Sequence, residues 1–279
     1  MKRSILTTVA AWALAAGPAQ AQQPAAAEPR WGVSGAGKQC ILSRAADTPA
    51  GVTMAIRTYP WSGMIDLVLI GPRWPGGLRS PKAEVTLGFA DPDATITHKV
   101  SFMPLPGAGQ MLEAERLGED FVVGVERSAK LTVQFQNAPL ATISLPMGDK
   151  AIQALRRCER TKLVEMGADE ALLDPASRPP QPAEDTSNWV NLREFLNLGF
   201  SNRTFRFFSV AQLLISPDGK IEKCSTLETM GAREVDKFVC DQLLRHAHFR
   251  PGYDKDGKPV RGVAVEPYDM TIESTLTVE

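Results

Sequence analysis

Seven runs of alternating or β-branched apolar residues follow one another along the first half of the chain, over 51–58, 64–70, 84–89, 95–103, 119–126, 130–136 and 140–145. Turn-forming sequence separates them, including Gly71-Pro72, Pro75-Gly76-Gly77, Asp91-Pro92 and Pro104-Leu105-Pro106. Short strands punctuated this often predict an antiparallel sandwich or open barrel. The period changes at Gly148-Asp149, where Ile152, Leu155 and Cys158 recur at three-residue steps. That spacing predicts a closing helix with Asp149 as its N-cap and Cys158 on the face turned toward the sheet.

Periodic apolar sequence then stops. Over 174–187 the chain carries Asp174-Pro175, Pro179-Pro180, Pro182 and Glu184-Asp185, which reads as a proline-rich linker without a packed element of its own. A second pattern follows over 188–279: a short helix (190–198), a strand (204–215), the turn Ser216-Pro217-Asp218-Gly219 and a second strand (220–227). From 232 to 247 the period is helical, with Val235, Phe238, Val239 and Leu243 on one face and Arg233, Glu234, Lys237, Asp241 and Arg245 on the other. A last strand runs from 260 to about 277. The expected organisation is a β-rich unit over 22–173, a linker over 174–187 and an α+β unit over 188–279.

Residues 1–21 look unlike either unit. Lys2 and Arg3 precede an apolar stretch over 5–16, and Ala19-Gln20-Ala21 fits a small-x-small cleavage site. The apolar run is shorter than the roughly 20 residues that cross a bilayer as a helix. A cleaved export signal and a periplasmic location are therefore expected, with no lasting membrane span; an uncleaved signal would instead leave the protein anchored to the inner membrane.

In an oxidising compartment the four cysteines, Cys40, Cys158, Cys224 and Cys240, read as two disulfides. Three connectivities are open. Pairing within each unit, Cys40 with Cys158 and Cys224 with Cys240, is the favoured one. Loop-closure entropy gives the first pair about 5 kcal/mol and the second about 3 kcal/mol. No CxxC spacing suggests redox catalysis. Composition adds little else: 43% apolar, 23% charged and a net charge of −1. With no cationic excess, nucleic-acid binding lacks electrostatic support.

The second unit carries a resemblance. Asp218-Gly219 in a hairpin turn, a helix around 236–244, Phe249 with Pro251, and Gly257-Lys258-Pro259-Val260 before a final strand resemble the TonB C-terminal domain family. The placement of Cys224 and Cys240 is similar to a disulfide-bearing, sphingomonad-type branch of that family. Over this last third of the chain the resemblance implies a recognition fold whose sheet edge pairs with an extended segment of an outer-membrane receptor, by β-augmentation. Val260, Gly262, Val263 and Val265 are the expected docking residues. The same edge could instead be covered by the first unit or by a second copy of the chain, giving a homodimer. The tyrosine-proline pair that precedes the first strand in the family is absent, and Arg193-Glu194-Phe195 stands nearby. A linker of about a dozen residues reaches only about 40 Å, so a soluble relative fits better than a force-transmitting protein.

Other features point to no chemistry. His246 and His248 lack the third and fourth ligands of a zinc site. His98 is expected on a strand. Gly32-Val33-Ser34-Gly35-Ala36 departs from the nucleophile elbow, and Gly35-Ala36-Gly37-Lys38 lacks P-loop spacing. Asp254 and Asp256 suit a solvated turn rather than a calcium loop. Trp61 and Trp74 flank an apolar strand and are candidates for a sugar- or lipid-facing platform or for core packing. No catalytic residue, metal or cofactor is expected. The function these readings favour is a non-enzymatic binding or adaptor protein contacting an envelope protein, such as a receptor in TonB-dependent outer-membrane transport; the alternatives are an envelope enzyme with its site in the β-rich unit and a short energy transducer anchored to the inner membrane.

Overall fold

Alternating burial carries most of the chain into antiparallel strands, because every second side chain of a strand meets the same core. The computed structural model describes residues 31–46, 51–71, 74, 83–91, 93–107, 109–196, 205–229 and 233–272. The expected export signal, the Pro75-Gly76-Gly77 turn and the end of the last strand past residue 272 lie outside the described residues.

The first set of elements is β1 (Trp31–Ala36), β2 (Gln39–Arg44), β3 (Thr53–Thr58), β4 (Ile65–Gly71), β5 (Ala83–Ala90), β6 (Asp93–Leu105) and β7 (Gly109–Leu117), then helix α1 (Glu119–Arg127), β8 (Lys130–Phe135), β9 (Ala138–Ser144) and helix α2 (Gly148–Glu165). The strands form one antiparallel sheet in the order β1-β2-β3-β4-β7-β6-β5-β8-β9. The long β6 joins its two parts, pairing with β5 through residues 93–100 and with β7 through 101–105. Leu42, Met54, Ile56, Leu67 and Leu112 from one part and Leu87, Leu131 and Val133 from the other are buried in one cluster. The sheet therefore folds over its own core, with Ile152 and Leu155 of α2 completing the cluster. The far strands also meet: the Arg44 guanidinium donates to Ser144 Oγ (3.0 Å), and Trp31 Nε1 donates to the Pro146 carbonyl (2.7 Å).

Two local expectations are corrected. Residues 119–126, read as a strand from their β-branched content, form α1. Phe121, Val122 and Val125 fall on one helical face and are buried, Phe121 meeting Phe89 edge to face at 5.9 Å. Packing on that face overrides strand propensity. The N-cap of α2 is Met147, with φ 56°, not Asp149. The first intrahelical bond runs from the Ala151 N–H to the Met147 carbonyl, which leaves Asp149 in the first turn, where its charge suits the helix dipole.

The second set comprises β10 (Gln181–Pro182), α3 (Leu192–Leu196), β11 (Phe205–Ile215), β12 (Ile221–Thr229), α4 (Arg233–His246), β13 (Phe249–Arg250), β14 (Gly252–Tyr253), β15 (Pro259–Val260) and β16 (Gly262–Ile272). Its main sheet is antiparallel, in the order β12-β11-β16. One face packs on α4: Ala211, Leu213, Ile215 and Ala264 share a buried cluster with Val235, Val239 and Leu243. The opposite face carries Val210, Val263 and Val265 into a cluster with Tyr59, Met64, Leu163 and Ala168, all from before the proline-rich segment. The sheet thus has α4 on one side and the end of α2 with the β3–β4 turn on the other.

Both disulfides are present, Cys40–Cys158 with Cα atoms 6.0 Å apart and Cys224–Cys240 at 5.6 Å. The first ties α2 to β2 and the second ties β12 to α4. Among the described residues no helix is long and apolar enough to cross a membrane.

Candidate functional site: the β16 edge and the turns that brace it

The proline-rich segment is where expectation and structure differ most. It does not hang free: the Arg178 and Tyr253 backbones exchange two 2.8 Å hydrogen bonds, Gln181 and Pro182 pair with Arg250 and Phe249, and the Ala183 N–H donates to the His248 carbonyl (2.9 Å). Prolines cannot donate to a ladder but suit short extended strands at an edge. Here they let the chain lie along the turns that follow α4. The Arg178 guanidinium stacks over the Tyr253 ring at 4.7 Å, adding a cation–π contact to this strap.

The residues on which the sequence resemblance rests converge on the same region. Ser216 closes the hairpin turn: its N–H donates to the Lys220 carbonyl (2.9 Å), its hydroxyl donates to the Asp218 carboxylate, and the Lys220 N–H donates back to its Oγ (3.0 Å). Asp218 also pairs with the Lys220 ammonium at 2.8 Å. The Lys220 contact and the Ser216 hydroxyl hold the Asp218 pKa down at about 2. Gly219 sits at φ 83°, and a Cβ there would come within 2.4 Å of the Phe249 carbonyl and 3.7 Å of Pro251. The Phe249 ring is buried against Trp189, with centroids 5.1 Å apart. Gly257 turns the chain at φ 79° between Asp254 and Lys258, whose N–H donates to Asp254 Oδ1 (2.8 Å). Pro259 then pairs with Tyr253. These residues build turns and packing and present no reactive group.

The four expected docking residues divide. Val260 belongs to the small β14–β15 ladder rather than to β16, and is buried. Gly262 begins β16, and a Cβ there would lie 2.5 Å from Pro180 Cγ and 2.9 Å from Leu172 Cδ1. The strap therefore covers the start of the strand, and the Asp169 N–H reaches the Arg261 carbonyl at 2.9 Å. Val263 and Val265 turn their side chains into the cluster with Tyr59 and Met64. β16 pairs with β11 on one side only, and no described strand pairs with its other edge. Pro267 stands in the middle of this strand, a residue that sheets admit on edges.

Of the other side chains of β16, Glu266 and Tyr268 are half-buried. Burial pushes the Glu266 carboxyl above the usual carboxylate range. Burial, then the neighbouring Glu266 charge, pushes the Tyr268 phenol upward as well, and its oxygen has no hydrogen-bond partner among the described residues. On the opposite edge of the sheet, Lys38 from the β1–β2 turn donates to Ser225 Oγ (2.6 Å). Burial and then the nearby Lys223 lower its pKa.

The remaining candidates have structural places. His248 Nδ1 lies 2.8 Å from Glu184 Oε1, within the strap region, and His246 is exposed at the end of α4. His98 Nε2 meets the Glu115 carbonyl at 2.7 Å. Trp74 is buried in the first core, while Trp61 packs against the cluster beneath β16, so the two form no common platform. Among the described residues no group of three or more His, Cys, Asp or Glu side chains is placed to hold a metal. Comparison with protein-family models finds no match, and neither curated proteins nor solved structures show significant similarity to this chain.

Proposed function

We propose that the protein is a periplasmic, non-enzymatic adaptor of two units, whose TonB-like C-terminal unit captures an extended segment of an envelope protein on the outer edge of β16. The observation that carries this reading is the sheet order β12-β11-β16, which leaves β16 outermost and unpaired among the described residues. An exposed strand edge is a row of oriented donors and acceptors, and a partner in extended conformation completes it. Because both faces of the sheet are packed, the edge is held in place and little ordering accompanies docking. Selectivity would come from the partner's alternate side chains and from Glu266 and Tyr268 along the strand.

A partner of the TonB-dependent receptor class fits the resemblance carried by Asp218-Gly219, Phe249, Pro251 and Gly257-Lys258-Pro259. Capture from an envelope extract with the full-length chain tests it. Recovery of a TonB-dependent receptor supports the proposal. Recovery of no such receptor, while the chain remains folded, contradicts it.

A further inference from the structure

On the outer face of the first sheet, away from its core, lies a cavity of about 340 Å³. That volume falls within the range of small-molecule sites. Its walls come from β2, β3, β4 and β7, with Ile41, Ala55, Val68 and Met111 supplying apolar surface and Tyr59 and Met64 closing one end. Five charged side chains line it as well: Arg57, Asp66, Glu113, Glu115 and Arg116. Carboxylates outnumber guanidiniums by one.

The pairing within this group decides which charge a ligand would meet. Arg57 donates through Nε and Nη2 to Asp66 Oδ2 (3.0 and 2.8 Å) and through Nη2 to Glu113 Oε1 (2.8 Å). The second Asp66 oxygen accepts from the Arg116 N–H (2.9 Å). Both oxygens of the buried Asp66 are thus engaged, and Glu113 is already paired. Glu115 is half-buried, and no side-chain hydrogen bond or ion pair joins its carboxylate to another described residue. With three carboxylates to two guanidiniums the cavity keeps one negative charge in excess beside apolar walls, which calls for a cation with hydrocarbon attached.

The backbone is built to put Glu115 there. Opposite Ile65–Leu67 of β4, strand β7 carries one extra residue between Ala114 and Leu117. This bulge lets the adjacent Glu115 and Arg116 both line the cavity, where regular alternation would send one of them inward. Arg116 pays for the arrangement with φ 58°, in the left-handed region that non-glycine residues avoid. A metal ion would find too few free oxygens, since Asp66 and Glu113 are already held.

We infer that this cavity binds a small organic monocation, an ammonium or guanidinium carrying an apolar body, with the cation on Glu115 and the body over Ile41, Val68 and Met111. This site shares Tyr59 and Met64 with the cluster beneath β16, but the inference does not depend on the adaptor reading. Calorimetry on the full-length chain with hexylammonium as probe, and with hexanoate and hexan-1-ol as controls of equal length, tests the assignment. Saturable hexylammonium binding with a Kd of about 1 mM or tighter is expected, with both controls at least about ten-fold weaker. Glu115→Gln, which breaks no side-chain hydrogen bond or ion pair to another described residue, should weaken hexylammonium at least about ten-fold while leaving the thermal midpoint unchanged. Ala55→Leu, which fills the cavity, should abolish binding in a folded protein. Absence of saturable binding at about 10 mM probe, equal binding of hexanoate, or unchanged binding by Glu115→Gln overturns the inference.

Discussion

Gly219 and Phe249 touch through their backbones: a Cβ on Gly219 would stand 2.4 Å from the Phe249 carbonyl oxygen. This contact joins the β11–β12 turn to the chain that leaves α4, two places thirty residues apart in the sequence. Gly219→Ala adds a backbone clash to a left-handed φ of 83°, and should destabilise by about 2 kcal/mol or more. Thermal unfolding would read this as a midpoint several degrees lower. An unchanged midpoint would mean that the two turns do not meet.

The two disulfides should contribute unequally. Cys40–Cys158 spans 118 residues and Cys224–Cys240 spans 16. Loop-closure entropy predicts that replacing the first pair with serine costs about 5 kcal/mol and the second about 3 kcal/mol. Denaturant midpoints of the two double variants, compared under oxidising conditions, check the order.

Asp218 gives a pH signature. Its pKa in the folded protein is about 2, below its ordinary value of 3.8, because of the Lys220 contact first and the Ser216 hydroxyl second. A depressed carboxylate pKa contributes stability that is complete above the ordinary value and is lost as pH falls through the folded one. Asp218→Asn should therefore reduce the loss of stability between pH 3.8 and about 2 and lower stability slightly at neutral pH, where the exposed pair is screened. Parallel pH titrations of the thermal midpoint would show the difference; superimposable slopes would assign the acid sensitivity to other carboxylates.

A fragment starting at residue 188 should behave poorly alone. It keeps α4 over one face of the sheet but uncovers Val210, Val263 and Val265, which are buried against Tyr59, Met64, Leu163 and Ala168. Exposed apolar area of this kind favours association. Binding of a hydrophobic dye and loss of a sharp thermal transition are expected for 188–279, and neither for the full chain. A monomeric, cooperatively folding fragment would contradict the role given to this cluster.

How far the sequence revealed these features follows from how local each signal is. The strands at 53–58, 65–71, 83–90 and 130–135 were legible because alternation and turn residues act within a few positions. The helix at 119–127 was not, since its buried face exists only where Phe89 meets Phe121. Strand β7 was missed because Glu113 and Glu115 alternate with Leu112 and Ala114 on a face that looked like solvent and instead lines a cavity. The hairpin and α4 were readable from spacing, and the two cysteine pairs match the pairing favoured because each lies within one unit. What proline content hid was the strap: composition says that residues 174–187 form no helix, but not that their backbone will find Tyr253, Arg250 and His248.

The outer edge of β16 is the centre of the functional account, and hydrogen–deuterium exchange across residues 263–272 of the full-length chain tests it most directly. The comparison is with and without a saturating synthetic peptide from an extended segment of a TonB-dependent receptor of the same envelope. Slower exchange along β16, with β12 at the far edge unchanged, is the predicted result. A bound peptide that leaves β16 exchange unaltered, or no binding of such peptides at all, would contradict it.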